Sequence, residues 1–138
     1  IEYLAGAHVG QIVAVVTKPI GIYIDKSNDN LYVASYSHNA ILRFDKTGKF
    51  LRKIGTEFLK SPYDFALVPG TLSMNPSVMI ADSENHRIVK MQMNTDDSME
   101  IIIDKKENQF NEPRRVRFDS KGNLIVADSN NGRIQKFF

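Results

Sequence analysis

From Ile80 to Met91 the chain reads IADSENHRIVKM, and 46 residues later, from Val126 to Phe137, it reads VADSNNGRIQKF. Seven of the ten positions from 81 to 90 recur: Ala81/Ala127, Asp82/Asp128, Ser83/Ser129, Asn85/Asn131, Arg87/Arg133, Ile88/Ile134 and Lys90/Lys136. A third and looser copy upstream, VASYSHNAILRF, holds Ala34, Ser35 and Ile41 in register but has Ala40 where the other two carry Arg. A period of this length is the mark of a stacked architecture. Each repeat is one supersecondary unit that buries its apolar face only against its neighbours.

The remaining landmarks phase the unit. Pro19, Pro62 and Pro113 each open an alternating run: PIGIYID, PYDFALV and PRRVRFD. A turn follows, tight in KSNDN and SKGN and expanded in the middle copy to PGTLSMNPS. Next come the apolar runs LYVAS, VMIAD and LIVAD, a polar turn, a third run (AILRF, RIVKM, RIQKF) and a fourth, KFLRKI or MEIIID. Short β-branched and aromatic runs bounded by Gly, Asn, Asp and Pro are strands joined in hairpins. No segment sustains a helical period. The pattern predicts an all-β chain of four-stranded antiparallel meanders, and four strands in a unit of this length is a β-propeller blade.

Within the blade, the order of Pro, a small or polar residue, an alternating strand ending in Asp, and then GNLIVADSxNxRIxKF resembles the NHL repeat. The fit is closest over Pro113–Phe138, good over Pro62–Asp104 and partial over Pro19–Gly55. It departs from the pattern at Ala40, which lacks the turn Arg, and at the insertion 69–76. The resemblance implies propellers usually of six blades. The chain is expected to be one propeller segment over 1–138, with repeats at about 18–55, 61–104 and 112–138. Residues 1–16 are assigned to the outer strand of a preceding blade. That makes three blades' worth of strands, which curve but do not close. Two expectations follow: a fragment of a longer propeller, or two chains pairing as a homodimer into a six-bladed ring.

Composition narrows the chemistry. With 42% apolar and 25% charged residues the chain has an ordinary globular balance and enough apolar mass for a core. The absence of Cys removes disulfides, thiolate nucleophiles and zinc–thiolate sites. No run of 18 apolar residues and no signal-peptide pattern occurs, and Asn75, followed by Pro76, is no glycosylation acceptor. None of this selects a compartment.

Residues repeated in every blade serve the blade, so Asp82 with Arg87 and Asp128 with Arg133 are expected to cap turn amides and pair with each other or across blades. Recognition is sought where one repeat departs from its sisters. The sharpest departure is PRRVRFD, where Arg115 replaces Gly21 and Asp64 and Arg117 replaces Tyr23 and Ala66. First strands line a propeller's axis, so Arg114, Arg115 and Arg117 are expected at or near the channel mouth. Arg117 has a plainer alternative, an ion pair with an adjacent blade. On the same loop end stand Arg87, Arg133, Tyr36, His38, His86, Lys105 and Lys106.

Basic groups among aromatics suit an acidic peptide or single-stranded nucleic acid. A net charge of +2, however, is too small to drive strong phosphate binding. The resemblance implies either partner, since some NHL propellers bind single-stranded RNA at this end and others bind proteins. A protein or peptide partner is expected first and RNA second. It also implies an alternative, a metal-dependent lyase or lactonase whose site is shared with further blades. Zinc needs three or four converging ligands. His8, His38 and His86 have no zinc spacing, and no nucleophile elbow, phosphate loop or HExxH occurs. The expectation is therefore a non-catalytic interaction module with no metal and no cofactor.

Overall fold

Each of the three repeats becomes one antiparallel sheet. The computed structural model describes residues 11–71, 76–93, 99–103 and 110–138, which form eleven strands. The first sheet runs β1 (Pro19–Asp25), β2 (Asn30–Ser35), β3 (Ala40–Phe44) and β4 (Phe50–Ile54). The second runs β5 (Pro62–Leu67), β6 (Ser77–Asp82), β7 (Arg87–Gln92) and β8 (Met99–Ile103). The third holds β9 (Pro113–Phe118), β10 (Leu124–Asp128) and β11 (Arg133–Phe137). Strand order equals chain order throughout, so every sheet is a meander. The sheets are arranged as propeller blades.

Apolar faces meet between blades. Ala34, Ile41, Ile54 and Leu59 of the first blade pack on Phe65, Val78, Ile80, Val89 and Met91 of the second. Ala81, Ile88 and Ile103 of the second pack on Val116, Leu124 and Val126 of the third, with Phe110 between them. The first strands are where the sheets come closest, β1 against β5 and β5 against β9. Gly21 permits the first approach, because a Cβ there would lie 3.0 Å from the Cα of Asp64.

The two ends of the stack differ from its middle at matched positions. Ile88 is fully buried while Ile134, its partner in the repeat, is 69% exposed, and Ile22 is 67% exposed where Val116 is buried. Residues 11–16, assigned by the sequence to an outer strand, carry no strand, and residues 1–10 lie outside the described residues. Ala14 and Val16 pack against Val33, Ala40, Leu42 and Phe44 on the outer side of the first blade. Among the described residues no helix is long and apolar enough to cross a membrane.

Each blade is fastened to the chain entering it by its second strand's last residue. Asp82 Oδ1 accepts from the Lys60 amide at 2.7 Å, and its Oδ2 accepts from Asn85 Nδ2 at 2.9 Å and Arg87 Nε at 2.7 Å. Asp128 does the same with the Asn111 amide, Asn131 and Arg133, each at 2.8 Å. The carboxylates thus hold the incoming linker rather than capping their own turns, where no side-chain cap forms. In the first blade the charged pair is replaced as a pair: Ser35 stands for Asp, Ala40 for Arg, and the Ser35 hydroxyl donates to the Thr17 carbonyl at 2.8 Å. Asn39 Oδ1 and His86 Nδ1 then accept from the next blade's pre-proline amides, Ser61 at 2.8 Å and Glu112 at 3.1 Å.

Candidate recognition site at the mouth of the blades

Every first strand contains a register shift directly after its proline. Pro19 pairs with Ser35 and Gly21 with Ala34, so Ile20 is skipped. In the same way Tyr63 is skipped between Pro62 and Asp64, and Arg114 between Pro113 and Arg115. A bulge frees one residue from the ladder and re-aims its side chain. Ile20, Tyr63 and Arg114 line one cavity of about 260 Å³, together with Lys18 and Tyr36.

Charge is held over aromatic rings around this cavity. The guanidinium carbons of Arg114 and Arg115 lie 5.0 and 5.3 Å from the Tyr63 ring centre, and Lys18 Nζ lies 5.9 Å from that of Tyr36. The two rings meet edge to face at 6.3 Å. Such cation–ring contacts hold a long basic side chain in place while leaving its N–H groups free to donate. Arg114 also pairs with Glu112 at 3.3 Å. Arg115 is exposed and has no carboxylate partner among the described residues.

The floor is set by Tyr36, whose hydroxyl donates to Glu84 Oε1 at 2.8 Å, with Lys60 Nζ 3.7 Å from the other oxygen. That bond holds the Glu84 carboxyl below the ordinary carboxylate range and raises the Tyr36 phenol. A lowered carboxyl stabilises the fold fully above the unfolded-state value of about 4.3 and loses that contribution as pH falls through the folded value. Tyr36→Phe is expected to move the Glu84 titration upward toward its ordinary value, read by NMR of the side-chain carboxyl. An unmoved titration would show that the hydroxyl does not set it.

Of the residues singled out by sequence, Tyr36, Arg114 and Arg115 come together here. Arg117 does not: its Nη1 pairs with the buried Asp64 of the preceding blade at 2.5 Å, alongside the Val116 amide at 3.2 Å. Arg87 and Arg133 are engaged by Asp82 and Asp128. His38 Nδ1 lies 2.8 Å from the Ser35 hydroxyl, and His86 Nδ1 takes the Glu112 amide. Lys105 and Lys106 lie outside the described residues. No group of three or more His, Asp or Glu placed to hold a metal ion occurs among the described residues. Tyr63 is not among the residues the sequence singles out, although it holds the same post-proline position as Arg114, which stands out through the basic run PRRVRFD.

The NHL repeat family model matches residues 110–137. A chain of the nidogen/laminin complex superposes with a TM-score of 0.67 at 24% identity, covering 86% of this chain and 42% of that one. Virginiamycin B lyase from Staphylococcus aureus superposes at 0.60 with 11% identity, covering 87% of this chain and 41% of the lyase. A streptogramin B lyase gives 0.61 at 12% identity, over 88% of this chain and 40% of that chain. The chain therefore spans less than half the length of these matched structures. At such identities the likeness is one of fold.

Proposed function

From a β-propeller chain that carries an NHL repeat over residues 110–137, we infer a non-catalytic recognition module that takes an acidic segment of a protein partner at the mouth of its blades. The observation that carries this reading is the convergence of the three bulge residues Ile20, Tyr63 and Arg114 on one cavity. Lys18, Arg114 and Arg115 bring cationic donors to its rim, ready for carboxylates. A propeller of the same fold belongs to a protein complex, that of nidogen with laminin, which supports a protein partner.

Peptide is favoured over single-stranded RNA by the state of Tyr63. Its ring already carries two guanidiniums, where a base would have to stack. The lyase reading rests on likeness of fold at 11 and 12% identity, which transfers no reacting residue.

Titrating the chain with a Glu-rich peptide, followed by fluorescence anisotropy, tests the proposal. Arg115→Ala is expected to weaken binding about tenfold with an unchanged melting temperature, since the side chain is exposed. Tyr63→Leu, which unseats both arginines, should cost as much or more. Binding indifferent to both substitutions, or stronger binding of a uridine-rich RNA, would overturn the assignment.

A further inference from the structure

At the opposite end of the blades, Asp25 and Asp119 occupy the same repeat position, six residues after Pro19 and Pro113. Each opens a tight turn in which Oδ1 accepts the amide two residues on, Ser27 or Lys121, at 2.9 Å. Their second oxygens differ. Asp119 Oδ2 takes Asn123 Nδ2 at 3.0 Å and the ammonium of Lys136 at 2.8 Å. The repeat counterpart of Lys136 is Arg43, but the Arg43 guanidinium lies over the Tyr32 ring at 5.7 Å. Asp25, only 3% exposed, is left with an Oδ2 that has no partner among the described residues, and Arg43 Nε is likewise buried without one among them.

Asp25 also lines a cavity of about 320 Å³ between the first and second blades. The other walls are the apolar Tyr23, Ile24, Leu67 and Pro76, with Lys26, Ser27 and Thr71 as their polar margin. A buried carboxylate oxygen without a donor is costly, and a charged N–H donor is its strongest complement. A divalent cation would ask for several oxygens, and no such acidic group is gathered among the described residues. The third blade shows which donor this position accepts. We propose that the cavity binds a protonated primary amine on an apolar stem. Its ammonium would rest on Asp25 Oδ2 as Lys136 Nζ rests on Asp119 Oδ2, and its stem would lie along Ile24, Leu67 and Pro76. The amine is a partner's lysine side chain or a free alkylamine. The site is independent of the loop-end reading.

The test is amide NMR of the 138-residue chain titrated with n-butylammonium chloride and, separately, with acetyl-Gly-Lys-Gly-amide, using 1-butanol as the neutral counterpart. Saturable shifts are expected at Ile24, Lys26, Ser27 and Leu67 with either amine. Asp25→Asn should weaken binding about tenfold or more and keep the turn, because the Asn oxygen still accepts the Ser27 amide. Leu67→Trp, which fills the cavity without touching the carboxylate, should abolish the shifts while leaving the remaining spectrum folded. Tighter binding of the peptide assigns a protein lysine, and tighter binding of butylammonium a small amine. No saturable shift with either amine, equal binding of butanol, or indifference to Asp25→Asn would overturn the proposal, and would mean that Arg43 turns onto Asp25 in solution.

Discussion

Replacing Asp82 by Ala is expected to destabilise the chain by about 3–5 kcal/mol, the cost of stranding the partners of a buried charge. Three donors lose their acceptor at once: the Lys60 amide, Asn85 Nδ2 and Arg87 Nε. The Arg87 side chain is only 17% exposed and regains little water. Asp128→Ala removes the same set of bonds from the third blade, but there the Arg133 side chain is 41% exposed. Its loss should be about half as large, since water re-solvates much of the guanidinium. Guanidinium chloride unfolding of both variants decides the matter. Equal losses would show that the linker bond alone, and not the buried ion pair, sets the energy.

Ile88→Ala and Ile134→Ala should part company by still simpler physics. The residues share a repeat position, yet one is sealed between the second and third blades and the other faces open space. Deleting a buried Ile down to Ala costs about 2–5 kcal/mol in lost transfer and residual cavity, whereas a surface substitution stays within roughly 0.5 kcal/mol. The same denaturation series measures both. A loss on Ile134→Ala approaching that of Ile88→Ala would mean that the outer face of the third blade is covered in solution, and the variant would then report on whatever covers it.

Much of this architecture can be read directly from the chain. Prolines at 19, 62 and 113, Asp-rich turns and two-residue alternation define the hairpins, because each acts within a few residues of itself. The pairing of Asp82 with Arg87 is equally local. What escapes the sequence is contact across blades. Arg117 stands out as a departure from Tyr23 and Ala66, but its partner Asp64 lies in the preceding repeat, and only the packing of β5 on β9 joins them. The same distance hides the bond from the Glu112 amide to His86. Tyr63 reads as one more aromatic in an alternating strand, and its role depends on a bulge that exists only in the ladder. The contrast between Arg43 and Lys136 is invisible for a different reason: both are basic at the same repeat position, and only the Tyr32 ring decides where one of them goes.

The post-proline bulge separates what the scaffold needs from what its mouth displays. Ala34, Ala81 and Ala127 recur opposite the bulge, each paired across to the first strand. The skipped residue answers to no cross-strand neighbour, and the three blades already fill it with an aliphatic, an aromatic and a cationic side chain: Ile20, Tyr63 and Arg114. If the proposed recognition surface is correct, its specificity would be spelled one letter per blade, at sites whose rewriting leaves the grammar of the fold intact.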